Sequence, residues 1–119
     1  MENIKFSGSN VTLMVQSMAK AVKFYTETLG LKLKVRHSSH WAEITAPGIT
    51  IGLHPRMKNK DISTGNSMNI GLEVKDFEKA VQHLQEKGLE LEVKKDSQVM
   101  QAYFNDPDGH TLYLFKMKK

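Results

Sequence analysis

The stretch Asn10–Val22, NVTLMVQSMAKAV, decides the fold because the chain states it a second time. Fifty-nine residues later, Asn69–Val81 reads NIGLEVKDFEKAV. Six of the thirteen positions are identical, and Val11 against Ile70 makes a conservative seventh pair. The echo continues in the same order. LGLKLKV at Leu29–Val35 returns as KGLELEV at Lys87–Val93, its lysines exchanged for glutamates, and GITIGL from Gly48 aligns with GHTLYL from Gly109. Ordered recurrence of this kind marks one supersecondary module used twice, a unit that cannot bury its apolar face alone.

Each copy can be read outward from that stretch. Val11, Leu13 and Val15 alternate with Asn10, Thr12 and Met14, the period of a strand with one face on a core. Ser17 supplies an N-cap hydroxyl for a helix whose apolar stripe is Met18, Ala21, Val22, Tyr25 and Leu29. Gly30 ends that helix, as a residue tolerant of the left-handed conformation. A second strand over Leu31, Leu33 and Val35 meets the polar turn RHSSH, then a third over Trp41–Ile44. Ala46-Pro47-Gly48 turns the chain into a fourth strand at Ile49, Ile51 and Leu53.

The second copy repeats the order. A strand spans Asn69–Lys75, and Asp76 caps a helix with Phe77, Ala80, Val81 and Leu84 inward and Gly88 as its stop. Strands follow at Leu89–Val93, Gln98–Phe104 and Thr111–Lys116, the last two joined by the tight-turn sequence NDPDGH. Each module is therefore βαβββ. The expected architecture is α+β: two such modules, about 8–55 and 68–117, joined by a linker at about 56–67, all within one domain of 1–119.

Composition narrows the function. At 119 residues there is material for one core and not for two independent ones. The absence of cysteine excludes disulfides, thiolate catalysis and Cys-based metal sites. No apolar run suits a signal peptide or a membrane span, so a cytoplasmic protein without a membrane partner is expected. The net charge of +4 comes from lysines spread along the chain without a recognition-helix or RNP-type motif, so no nucleic-acid partner is expected either.

The repeat, the helix ending in FYTETLGLKL and the closing DPDGHTLYLF together resemble the vicinal oxygen chelate superfamily, over about Ser9–Met117. That group includes glyoxalase I, extradiol dioxygenases, and fosfomycin- and bleomycin-resistance proteins. The resemblance implies curved mixed sheets closing around a shared cavity, and commonly a homodimer, sometimes with modules exchanged between chains. It also implies up to four metal ligands, at positions that correspond here to Asn10, Gly52, Asn69 and Tyr113. His and Glu usually stand there. Amide oxygens, a side-chain-less glycine and a neutral phenol suit a catalytic divalent metal poorly, so no metal and no cofactor are expected. Lewis-acid and oxygen-activating chemistry would go with the metal.

Strand parity then sorts the remaining side chains. One face gathers Asn10, Trp41, Glu43 and His54 from the first module, and Asn69, Glu73, Tyr103, Tyr113 and Phe115 from the second. Aromatic walls with a few orienting polar groups describe a ligand pocket. The rings suit a flat or cationic ligand, with Glu43 or Glu73 pairing a positive charge. Solvated carboxylates and a tryptophan at a subunit interface are the plainer reading of the same residues. His54 is the one histidine on this parity fit to move a proton.

The leading expectation is a metal-free small-molecule-binding protein akin to the bleomycin-resistance branch, which sequesters its ligand; antibiotic resistance is one role this implies. The alternative is an enzyme of lyase, isomerase or dioxygenase type with an altered site, whose catalytic residues the sequence does not identify.

Overall fold

The computed structural model describes residues 5, 7, 9–56 and 68–118. The chain divides into two compact units, Met1–Lys58 and Asn59–Lys119, each holding one copy of the repeat. The first runs β1 (Val11–Val15), α1 (Met18–Lys23), β2 (Lys32–His37), β3 (Trp41–Ala46) and β4 (Ile49–Pro55). The second runs β5 (Asn69–Glu73), α2 (Phe77–Glu86), β6 (Glu92–Lys95), β7 (Val99–Asn105) and β8 (Thr111–Met117). Apart from Arg56, the linker expected at about 56–67 lies outside the described residues.

Both sheets have the same topology, β1-β4-β3-β2 and β5-β8-β7-β6. The first strand lies parallel to the last, and the other pairs are antiparallel. The register also corresponds: Leu13 faces Leu53 in the first sheet and Leu72 faces Leu114 in the second. These are two mixed four-stranded sheets of the expected βαβββ order.

The caps read from sequence form. Lys20 N donates to Ser17 Oγ at 3.2 Å, and Lys79 N to Asp76 Oδ1 at 3.1 Å. Each satisfies an otherwise orphaned first-turn amide. Both helices stop at a glycine with positive φ, Gly30 at 79° and Gly88 at 95°, a conformation that is costly for residues with a Cβ.

One difference lies in the first helix. Its last turn, Phe24–Thr28, is π-helical, with Leu29 N donating to Phe24 O at 3.0 Å across five residues. Thr26 Oγ1 donates to Val22 O at 2.7 Å, competing for a carbonyl of the regular ladder. Phe24, where the widened turn begins, lies in the core beside Tyr25, their rings edge-on at 5.2 Å, whereas Leu29 beyond the turn is only half-buried. A stripe drawn at 3.6 residues per turn therefore omits Phe24 and overstates Leu29.

In each module the core lies between the helix and one sheet face. Val15, Tyr25, Ile44, Ile51 and Leu53 are fully buried in the first, and Leu112 in the second. Burial of each such aliphatic side chain stabilises the fold by roughly 1.5–3 kcal/mol. The strands β2 and β6 stand at open sheet edges, and both are shifted C-terminally from the positions their apolar residues suggest. Leu33 and Val93 are each 43% exposed there. Charged side chains along both strands, Lys32, Lys34 and Arg36 on β2 and Glu92, Lys94 and Lys95 on β6, discourage edge-to-edge pairing.

Candidate functional site

The sheet face away from each helix carries the residues singled out by strand parity. In the first module Ala42, Ile44 and Ala46 are buried against the helix, while Trp41 and Glu43 point the other way and are half-buried. Cross-strand pairing sets Glu43 opposite Gly52, which in turn pairs with Thr12. The Trp41 ring lies directly on Gly52: a Cβ built there would come within 2.3 Å of the ring. Trp41 Nε1 donates to Glu43 Oε2 at 2.8 Å, and Lys34 Nζ approaches Glu43 Oε1 at 3.9 Å. The carboxylate expected to meet a cationic ligand is thus already engaged on both oxygens.

His54 joins this group with its ring centroid 6.4 Å from that of Trp41. Its Nδ1 lies 2.7 Å from Pro55 O. A carbonyl only accepts, so Nδ1 carries the proton and a neutral ring offers Nε2 as a free acceptor. Asn10 is exposed, its Oδ1 accepting from Thr12 Oγ1 at 3.3 Å.

The second module assembles a ladder of rings. Tyr103 and Tyr113 face each other across β7 and β8 with centroids 5.1 Å apart, and Phe115 continues the row 5.8 Å from Tyr113. These spacings fall within the range of favourable aromatic pairs. Tyr113 lies over Gly71, whose Cβ would come within 2.5 Å of its ring. Asn69 and Glu73 sit at the two ends of β5, both exposed. They flank the ladder in register with Thr111 and Phe115.

Beside this ladder is an open recess of about 600 Å³, lined by Leu89, Glu90, Leu91, Glu92, Tyr103, Phe104, Asn105 and Thr111. Tyr103 is the one residue it shares with the site expected from sequence. Two further groups escaped the sequence reading. Lys94 Nζ lies 5.3 Å from the Tyr103 centroid and 3.4 Å from Glu92 Oε1. Parity placed no lysine on this face because β6 was expected to end at Val93.

The second is the NDPDGH turn. Asp106 is buried, and its carboxylate accepts from the amides of Asp108 and His110 at 2.9 and 2.8 Å. His110 Nδ1 meets Asp106 Oδ2 at 2.7 Å. That hydrogen bond raises the His110 pKa above its ordinary 6.5; burial opposes the shift, and the charges of Asp106 and Asp108 add to it. The arrangement is a structural staple for the β7–β8 hairpin. The Asp-Pro-Asp-Gly-His order is its only signal in the sequence, where it indicates a tight turn and the family resemblance but not the Asp106–His110 pair.

The model of the Glyoxalase/Bleomycin resistance protein/Dioxygenase superfamily matches residues 9–114. The chain belongs to this superfamily. Among solved structures of the same fold is a putative glyoxalase family protein from Bacillus anthracis, with a TM-score of 0.79 at 18% identity, covering 99% of this chain and 100% of that one. TnmS3, an antibiotic binding protein from Streptomyces sp. CB03234, aligns with a TM-score of 0.68 at 26% identity, covering 96% and 100%. TioX from Micromonospora sp. ML1 gives 0.71 at 15%, covering 92% and 94%. Among curated proteins none matches the sequence.

The metal used by the superfamily's enzymes does not fit the residues present. Gly52 contributes no donor and is covered by an indole, and the phenol of Tyr113 is laid over Gly71. The Asn10 amide oxygen is bonded to Thr12. Among the described residues, no three His, Asp or Glu side chains gather closely enough to hold an ion. No described helix is long and apolar enough to cross a membrane.

Proposed function

We propose that this protein binds a small organic molecule, aromatic or cationic, without a metal, and holds it on the ring-lined faces of its sheets. The observation that carries the reading is the Tyr103–Tyr113–Phe115 ladder beside the recess of about 600 Å³. That volume lies within the roughly 300–1,000 Å³ typical of ligand pockets. Half-buried rings on a face away from the core contribute little to folding that smaller side chains would not, yet they offer stacking surface to a flat ligand. Trp41, Glu43 and His54 offer a second such surface in the first module, with Asn10, Asn69 and Glu73 as exposed polar groups. Likeness to an antibiotic binding protein supports sequestration over turnover. A cytoplasmic homodimer completes the proposal.

Native mass spectrometry paired with elemental analysis of protein purified without chelator tests it. A retained organic mass with no stoichiometric metal is the expected result, and Tyr113→Leu should release that mass. Near one equivalent of a transition metal per chain would overturn the reading in favour of an enzyme.

A further inference from the structure

We propose that the recess beside β6 binds an organic ammonium ion, and that Lys94 occupies its cation position until such a ligand displaces it. This rests on the small-molecule reading above and names the ligand's chemistry.

In register, Glu92 pairs with Tyr103 and Lys94 with Gln101, so all four share one sheet face. The Lys94 ammonium lies over the Tyr103 ring at 5.3 Å and beside the Glu92 carboxylate at 3.4 Å. Ring and carboxylate together are what a cation needs, at cation–π range and ion-pair range at once. The resident cation is weakly held. Its side chain is 62% exposed and that of Glu92 71%, so solvent screens the pair and displacement costs little.

The recess offers room for the rest of such a ligand. Leu89, Leu91 and Phe104 give it apolar lining, while Glu90 and Glu92 give it two carboxylates, and none of its described lining residues is a lysine or arginine. The repeat shows that this charge is particular to the second module. Where the first has Lys32 and Lys34, the second has Glu90 and Glu92. The inversion sets two carboxylates at this edge, one of them beside the ring that receives an ammonium. An ammonium group replacing Lys94 would take over its contacts with Tyr103 and Glu92, with its apolar body toward the leucines.

The test uses dansylcadaverine, a fluorescent primary ammonium on an aromatic body, and its N-acetylated, uncharged form, titrated against the full chain. The charged form is expected to bind more tightly. Lys94→Met should strengthen its binding roughly two- to fivefold, the range of an exposed ion pair that the ligand no longer has to break. Glu92→Gln and Tyr103→Leu should weaken it, while the acetylated form should respond little to Lys94→Met or Glu92→Gln. Lys95→Met is the charge control. Lys95 lies on the other face, paired with Glu78 at 2.8 Å, and its loss should leave affinity near the wild-type value.

Equal gains from Lys94→Met and Lys95→Met would reduce the effect to net charge and overturn the proposal. Equal binding of both probe forms would overturn the cation site and leave an aromatic ligand in place. Binding of neither form would also overturn it, and the mass-spectrometric experiment then decides the broader reading independently.

Discussion

Replacing Gly52 by alanine tests the packing on the face of the first module's sheet that points away from its helix. An added Cβ would stand 2.3 Å from one indole carbon of Trp41, 2.8 Å from a second and 3.2 Å from a third. No shift of a few tenths of an ångström relieves all three, so the ring must swing away about its own χ angles. Swinging breaks the 2.8 Å bond from Trp41 Nε1 to Glu43. A hydrogen bond to a charged group contributes roughly 1.5–3 kcal/mol. Against this, alanine recovers about 0.5–1 kcal/mol over glycine within regular structure. The net expectation is a loss of about 1–2 kcal/mol, read as a lower denaturation midpoint with an unchanged slope. Trp41 is the only tryptophan, so its emission reports the displacement directly and should shift to the red. The decisive comparison is made in a Trp41→Leu background, where the shorter side chain lacks both the ring and the bond. There Gly52→Ala should be close to neutral or mildly stabilising. An equal loss in both backgrounds would place the strain elsewhere and refute this account.

Three further outcomes are expected. Gly71→Ala should push Tyr113 off its seat, since the new Cβ would lie 2.5–2.8 Å from the ring and hydroxyl. Near-ultraviolet circular dichroism should record the disrupted ladder, with little change in secondary structure. The raised His110 pKa stabilises the fold fully below about pH 6.5, its unfolded value, and that contribution falls as pH rises through the folded value. Urea denaturation from pH 5 to 9 should show the decline, and His110→Asn should flatten it. Ser17→Ala and Asp76→Ala should each cost about 1 kcal/mol as lost N-caps, measured in the same way.

Much of this fold was legible because its determinants are local and were written twice. Ser17 and Asp76 announce helix starts, Gly30 and Gly88 announce stops, and period-2 alternation assigns sheet faces without any tertiary information. What the sequence hid depends on contacts between distant residues. The Phe24–Thr28 turn widens through the Thr26 hydroxyl on Val22 O, a choice that residue order does not force. The edge strand β6 begins at Glu92 and runs to Lys95 because its pairing with β7 sets it there, while Leu89 and Leu91 line the recess before it. Its continuation past Val93 to Lys95 sets Lys94 on the same sheet face as Tyr103. Parity sorted the rings onto one sheet face and could not show which carboxylates were already engaged: Glu43 looked available and is bonded to Trp41 and Lys34.

The two modules also show why site chemistry drifts faster than architecture in a duplicated fold. Gly52 on β4 aligns with Tyr113 on β8, and Thr12 on β1 aligns with Gly71 on β5. Glycine and a side chain have exchanged places between neighbouring strands. In the first module the vacancy over Gly52 is filled by Trp41 from β3, and in the second the vacancy over Gly71 is filled by Tyr113 from β8. The same requirement, one large ring for each missing side chain, is met from different strands with different hydrogen-bonding ends. The helix-facing positions had no such freedom: Leu13 and Leu53 recur as Leu72 and Leu114, because each must fit between a helix and a neighbouring strand. Constraint on one face and latitude on the other let a single module supply the core twice. They also let it carry an indole–carboxylate pair in one copy and a three-ring ladder in the other.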